Sequence, residues 1–255
     1  MLLAIDVGNT HTVLGLFEGS ERRAHWRIGT RADGTADEWR VLFGALFASE
    51  GCHPSAVRGA IVASVVPDLD PVIRETVRRT TGTEPLFVAP GMKTGVPILY
   101  DNPHEVGADR IVNAVAAIHR YGAPVIVVDF GTATTFDVVD REGAYVGGVI
   151  VPGLGISAEA LFQRAARLAR VELRPPSRVI GRSTQESIQS GLFHGYLGLV
   201  ESLTGRIRRE LGADAPLVAT GGLAPVFEGW LPDCRAVDPG LTLDGLRILW
   251  ERNRR

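Results

Sequence analysis

The feature that most constrains this chain is a strand–turn–strand pattern with an aspartate at its bend, written twice. The first copy runs from Leu2 to Phe17 through Ala4–Ile5–Asp6–Val7–Gly8–Asn9–Thr10–His11–Thr12–Val13, and the second is Val127–Val128–Asp129–Phe130–Gly131–Thr132–Ala133–Thr134–Thr135–Phe136–Asp137–Val138–Val139. The pairs Asp6/Asp129, Gly8/Gly131 and Thr12/Thr135 share one offset, 129 − 6 = 123, close to half of the 255 residues. Apolar runs predict two strands per copy, and Gly8–Asn9 predicts a tight turn built on positive φ. Equal spacing predicts two related halves, 1–121 and 122–255.

In each copy the first strand delivers a carboxylate to the turn. The amides of Gly8, Asn9 and Thr10, with the Thr10 and Thr12 hydroxyls, can donate to an anion. A carboxylate beside a phosphate is repelled unless a cation lies between them, so Asp6 is expected to hold Mg²⁺, directly or through water. Two phosphate-binding hairpins facing each other across a cleft are the plan of the actin, hexokinase and Hsp70-like ATPases, which this duplication resembles.

Composition narrows the class. A chain that is 45% hydrophobic can bury sizeable cores, and a net charge of −2 gives no reason to expect nucleic acid as a partner. Cys52 and Cys234 form neither a disulfide framework nor a zinc pattern, and the six histidines show no ligand spacing, as expected of a cytoplasmic protein. Asp6 follows Met1 too closely for a signal peptide, and Gly and Pro interrupt the uncharged run from Gly143 to Ala158, so no membrane span is expected.

Between the two hairpins the sequence alternates strand and helix. Trp26–Ile28 predicts a strand, Glu38–Ser49 a helix with Trp39, Leu42, Phe43, Leu46 and Phe47 on one face, Ala60–Val66 a buried strand, Leu69–Thr80 a helix and Pro85–Val88 a short strand. An antiparallel start followed by this alternation predicts α/β architecture, a mixed sheet with helices on its faces. The arginines at 74, 78 and 79 read as a solvated face.

A second informative stretch runs Tyr100–Asp101–Asn102–Pro103–His104–Glu105–Val106–Gly107–Ala108–Asp109–Arg110 into a helix with Ile111, Val115 and Ile118 on one side. Residue types leave two roles open for Asp109. A carboxylate in a first helical turn stabilises the helix by roughly 0.3–1 kcal/mol. The same carboxylate, beside the Arg110 fork and downstream of Tyr100, can take the proton of a substrate hydroxyl attacking a phosphate.

Four motifs in order then make a family resemblance. Asp6-x-Gly8-Asn9-Thr10, Tyr100-x-x-Pro103-x-x-Val106-Gly107-x-Asp109-Arg110, Asp129-x-Gly131-Thr132-Ala133-Thr134-Thr135 and Gly147-Gly148-x-Ile150-x-Pro152-Gly153 together resemble the type III pantothenate kinases. The resemblance implies duplicated ribonuclease H-like domains and ATP-dependent phosphorylation of pantothenate, the first committed step towards coenzyme A. It implies Asp109 as general base, and an ATP site of Asp6, Val7, Gly8, Asn9, Thr10, His11, Thr12, Val13 and Thr132. It further implies Tyr100, Gly107, Ala108, Asp109, Arg110 and Thr184 at pantothenate, Asp129 at a monovalent cation (K⁺ or NH₄⁺), and a homodimer that completes the substrate site.

The remainder accommodates that reading. Ala144–Gly153 predicts a strand entering a Gly-rich turn, followed by a helix over Ser157–Arg170. Gly153-x-Gly155-x-x-Ala158, with Glu172 beyond it, also mimics a dinucleotide-binding fingerprint. Ser183 or Thr184 is expected to cap a long helix, Gln185–Leu211, striped by Ile188, Leu192, Tyr196, Leu199, Leu203, Ile207 and Leu211. Pro216–Ala219 predicts a strand before the Thr220–Gly221–Gly222 turn, which is expected close to the nucleotide. Leu241–Trp250 predicts a closing helix.

Overall fold

A computed structural model describes residues 1–164 and 170–254. Contacts group the chain into two compact units: Met1–Val96, Asp101–Ala116 and Leu241–Arg255 in the first, Pro97–Tyr100 and Ala117–Gly240 in the second. The sequence reading cuts the chain once, at 121/122; by contacts, the last helix belongs with the opening strands.

The first unit is built on strands β1 (Leu2–Val7), β2 (His11–Glu18), β3 (Glu21–Gly29), β4 (Gly59–Ser64) and β5 (Leu86–Phe87), in the order β3-β2-β1-β4-β5. β1 and β2 pair antiparallel as a hairpin, and β4 lies parallel to β1 on its other side. Alternation sorts β1 by face: Leu3, Ile5 and Val7 enter a core with Trp39, Phe43, Phe47, Ile73 and Val77 of helices α1 (Ala36–Ser49) and α2 (Asp70–Thr81). α1 starts two residues before the expected Glu38 because Thr35 and Glu38 close a capping box: Thr35 Oγ1 accepts from Glu38 N, and Glu38 Oε2 accepts from Thr35 N at 2.8 Å.

Asp6 shares the opposite face of β1 with Leu2 and Ala4. Against β1, β2 and β4 lies the C-terminal helix, here numbered α6 (Leu241–Asn253). Glycines admit it: a Cβ at Gly59 would lie 2.1 Å from the Trp250 ring, and one at Gly15 2.9 Å from Leu243. Helix α3 (Ala108–Tyr121) meets α6 through Gly245, where a Cβ would fall 2.3 Å from the Val112 carbonyl oxygen, and through a 2.8 Å bond from Thr242 Oγ1 to Asn113 Oδ1.

The second unit repeats the topology. Strands β6 (Val125–Phe130), β7 (Ala133–Val139), β8 (Tyr145–Pro152), β9 (Leu217–Thr220) and β10 (Cys234–Val237) are ordered β10-β9-β6-β7-β8, with β6–β7 antiparallel and β6–β9 parallel. β10 carries no sequence signal strong enough to have been expected: Cys234–Arg235–Ala236–Val237 is short, at a sheet edge, and half-exposed. One face of this sheet packs on α4 (Leu154–Arg164) and α5 (Thr184–Leu211), through Leu154, Phe193, Tyr196 and Val200.

Three expectations change here. α4 begins three residues before Ser157, and the expected end at Arg170 spans residues 165–169, which lie outside those described. The fully buried line of α5 is Phe193, Tyr196, Val200 and Thr204; most of the expected stripe, Leu192, Leu199, Leu203, Ile207 and Leu211, flanks it half-buried. The dinucleotide fingerprint fails because β8 is an edge strand antiparallel to β7, not the first strand of a parallel βαβ unit.

Replacing Gly245 by Ala tests the α3–α6 contact. The added methyl meets backbone, which cannot swing aside, so overpacking should cost about 1–3 kcal/mol. A thermal melt should show the midpoint lowered by roughly 3–10 °C; an unchanged midpoint would mean that the helices separate freely.

Candidate active site

The two aspartates occupy matching places. Asp6 and Asp129 are the half-buried fifth residues of six-residue strands that share one burial pattern, at the end from which each hairpin turns back. The turns differ by one residue. Val7 faces Thr12 in the first hairpin, whereas Phe130 faces Thr134 in the second. The spatial counterpart of Thr12 is therefore Thr134, not the Thr135 that the constant offset of 123 suggests, and both Thr12 and Thr134 are fully buried.

The first turn also departs from expectation. Neither Gly8 nor Asn9 has positive φ. Gly8 is needed for space: a Cβ there would sit 3.0 Å from the His11 carbonyl oxygen, which accepts a 3.0 Å bond from Gly8 N. Asn9, Thr10 and His11 form an exposed tip, while Val7 and Thr12 are buried and Val13 is half-buried. Arg27 Nη2 lies 3.0 Å from His11 Nδ1. Partial burial, helped by the Arg27 charge, lowers the His11 pKa, and because a guanidinium only donates, Nδ1 is the acceptor of this bond.

In the second unit, glycines bring backbone against the turn. Gly153 N donates to Thr132 O at 3.1 Å, and a Cβ on Gly153 would fall 2.2 Å from that oxygen. Gly221, with φ +91°, abuts Asp129: a Cβ there would lie 2.3 Å from Asp129 Oδ1. The Thr220–Gly221 turn, expected near nucleotide, thus has its close approach to the Asp129 carboxylate. Thr132 is exposed.

Asp109 lies in the first turn of α3. Its Oδ1 accepts from Arg110 N at 2.8 Å, and a Cβ on Gly107 would lie 2.6 Å from the same oxygen, so glycine leaves room for the carboxylate. Burial raises the Asp109 pKa above the ordinary 3.8, outweighing the Arg110 amide and charge, which lower it. A merely capping carboxylate has no need of a desolvated setting; a proton acceptor gains basicity from it. Ala108 is half-buried beside Asp109, and the Arg110 side chain is buried.

Tyr100 belongs to the second unit, where its ring lies 6.3 Å from that of Tyr145 and packs beside Gly147. Tyr145 is fully buried and donates to Asp137 Oδ1 at 3.1 Å, and Thr135 donates to Asp137 Oδ2 at 3.3 Å. The sequence reading passed over Asp137 and Tyr145; an acidic residue within a run of valines was the available signal. Ser183 is the α5 cap, its hydroxyl accepting from Glu186 N at 3.2 Å, so Thr184 is left as an exposed first helical residue.

The comparison with known proteins decides the family. A model described as type III pantothenate kinase matches residues 2–206. The chain belongs to the type III pantothenate kinase family. It is 54% identical over 263 residues to the type III pantothenate kinase of Koribacter versatilis, covering 99% of this chain and 96% of that one. Solved structures agree on the fold: a candidate Baf family transcriptional activator from Campylobacter jejuni superposes with TM-score 0.61 at 17% identity, covering 98% of both chains. A candidate 2-dehydro-3-deoxygalactonokinase from Sinorhizobium meliloti gives TM-score 0.59 at 14% identity, over 100% of this chain and 97% of that one. The two repeated mixed sheets are the duplicated ribonuclease H-like, actin-like ATPase fold expected from the hairpins. No helix among the described residues is long and apolar enough to cross a membrane.

The raised Asp109 pKa gives a signed prediction for this family member. Its folded value exceeds the unfolded one, so its contribution to stability is fully present below the ordinary 3.8 and is lost as pH rises through the raised folded value. Asp109→Asn should therefore stabilise the fold at neutral pH and lose that advantage below pH 3.8, which paired thermal melts would register. A destabilised Asp109→Asn at neutral pH would contradict the desolvation account.

Proposed function

We propose that this protein transfers the γ-phosphoryl group of ATP to the primary hydroxyl of pantothenate, giving 4′-phosphopantothenate and ADP, the first step of coenzyme A synthesis, in the cytoplasm. The observation that carries the reading is a half-buried carboxylate, Asp109, whose pKa burial raises, in the Tyr100–Arg110 motif of a chain matched along its length to pantothenate kinases. Asp109 takes the proton of the attacking hydroxyl, which leaves the oxygen free to bond phosphorus as the bond to the β-phosphate oxygen breaks. Arg110, Tyr100, Gly107, Ala108 and Thr184 are the groups assigned to pantothenate.

ATP phosphates are assigned to the Asp6–Val13 hairpin, with Thr132 also at ATP. Asp6 stands half-buried at the strand end beside an exposed tip, the setting of a carboxylate that meets Mg²⁺ at its solvent side. When bound, Mg²⁺ supplies charge neutralisation to the phosphate oxygens. Asp129 is assigned to K⁺ or NH₄⁺. Asp129 stands in the second hairpin where Asp6 stands in the first, and with the Mg²⁺ of ATP assigned to Asp6 the second carboxylate is left a different ion to balance.

A homodimer is supported by apolar exposure in the second unit, where Ile150, Val179 and Ile180 are 61%, 67% and 83% exposed. Thr184, four residues past Ile180, would then meet substrate near that interface. Light scattering should report a dimer, and a fully active monomer would remove this role for Thr184.

The reaction is tested with purified protein, ATP, Mg²⁺ and K⁺ against a panel of acceptors. Turnover of pantothenate is expected; turnover of a different acceptor alone would make the protein another kinase, and none at all would favour a binding role. Asp109→Asn should lower turnover by about 10²–10⁴-fold while ATP still binds, with the acid limb of the wild-type pH profile lying above 3.8. Exchanging K⁺ for Na⁺ at constant ionic strength should depress activity, and Asp129→Ala should abolish the difference.

A further inference from the structure

The hairpin assigned to the ATP phosphates lacks the left-handed residues that normally close a short β-turn, so something else must hold its shape. Thr30, the residue that follows β3, makes three bonds to it. Its backbone N donates to Thr10 O at 3.0 Å, its hydroxyl donates to Gly8 O at 2.6 Å, and its Oγ1 lies 2.9 Å from Thr12 Oγ1. A hydroxyl has one hydrogen, and that of Thr30 is engaged by Gly8 O, so Thr12 is the donor to Thr30. The result is a directed chain: Thr12 hydroxyl to Thr30 hydroxyl to Gly8 carbonyl.

This chain fixes the orientation of two peptide planes. In a trans peptide the C=O and the following N–H point in opposite directions. Thr30 draws the Gly8 and Thr10 carbonyls towards itself, so the Asn9 and His11 N–H groups are turned away from it, at a tip where Asn9, Thr10 and His11 are exposed. Backbone donors whose peptide planes are fixed at an exposed tip suit an anionic oxygen. Thr12 is fully buried, so its end of the chain is anchored in the sheet and does not move with solvent.

The second hairpin shows that this brace is not a generic property of the duplication. There Gly153 N takes the place of Thr30 N, donating to Thr132 O. A side chain on Gly153 would collide with Thr132 O at 2.2 Å and Gly131 O at 2.6 Å, so no hydroxyl can be inserted. The second turn is held differently: Thr134, the counterpart of Thr12, receives the Tyr196 hydroxyl, which also lies 3.0 Å from Pro152 O.

We infer that Thr30 is a positioning residue for nucleotide binding, holding the peptide planes of the Gly8–His11 turn in the orientation in which its amides receive the phosphates of ATP. The inference rests on the assignment of that hairpin to ATP. It concerns phosphate and not the adenosine moiety, and this selectivity supplies the test.

Thr30→Val keeps the branched shape and removes the hydroxyl; Thr30→Ser keeps the hydroxyl. Calorimetric titration with ADP and with adenosine should show ADP affinity falling about 5–50-fold in Thr30→Val, the range for leaving a carbonyl without its partner, with adenosine affinity unchanged and Thr30→Ser close to wild type. KM for ATP should rise in parallel while KM for pantothenate holds. Equal losses for ADP and adenosine, or no loss for either, would overturn the inference while leaving the ATP assignment standing. Wild-type protein that binds no ADP would overturn the assignment itself. Should Thr30→Val fail to fold, Thr30→Ala, compared with Thr30→Ser, is read by the same ADP-to-adenosine comparison.

Discussion

Everything in this molecule depends on holding a carboxylate at the end of a strand whose neighbours on both sides are sheet. In each unit the central strand is hydrogen-bonded antiparallel to its hairpin partner and parallel to a later strand, so the aspartate position is fixed by two ladders at once. The residues before it are fully buried and the carboxylate is only half so. A rigid, apolar strand thus carries its one charged group to the edge of the buried core. Slipping the register by one residue would send that charge into the packed face with Ile5 or Val128.

That arrangement explains why the long-range connections look as they do. Asp6 lies on the face of β1 away from the α1–α2 core, and the element covering β1, β2 and β4 there is the last helix of the chain. Small residues make this return possible. Gly15, Gly59 and Gly245 each stand where a methyl would enter a neighbouring ring, side chain or backbone, so α6 sits close to the sheet and to α3. Fixing α3 fixes the turn that bears Asp109. The first unit therefore holds both Asp6 and Asp109 on elements joined by the C-terminal helix, which a division of the chain into sequence halves does not reveal.

Much of this was legible before any coordinates. Six-residue apolar runs ending in Asp-x-Gly identified both central strands, because burial on two sides demands such runs and the break in them is conspicuous. The motif around Asp109 was legible as chemistry but not as environment, since desolvation depends on packing from distant segments. Turn geometry was misread: Gly8–Asn9 is compatible with positive φ, yet the bond that decides the turn comes from Thr30, 22 residues from Gly8. The α5 stripe was offset because a helical pattern of leucines marks apolarity, whereas aromatic bulk and sheet curvature select Phe193, Tyr196 and Val200 as the deepest line.

The one-residue difference between the hairpins is where the two halves part. A constant offset pairs Thr12 with Thr135, but strand register pairs Thr12 with Thr134, so the turns differ by one residue while the strands correspond. A change confined to the bend alters what the bend presents while preserving the carboxylate behind it. In the first hairpin the turn is braced by side-chain hydroxyls and its tip stands open. In the second, Gly153 backs the turn with backbone, the Tyr196 hydroxyl reaches Thr134, and Gly221 presses against the aspartate. Asp129 is thus closely walled by backbone, whereas Asp6 stands behind an exposed tip. Two copies of one strand plan thereby acquire unlike surroundings for their carboxylates, and the difference lies in the connections, where loops tolerate insertion and the sheet does not.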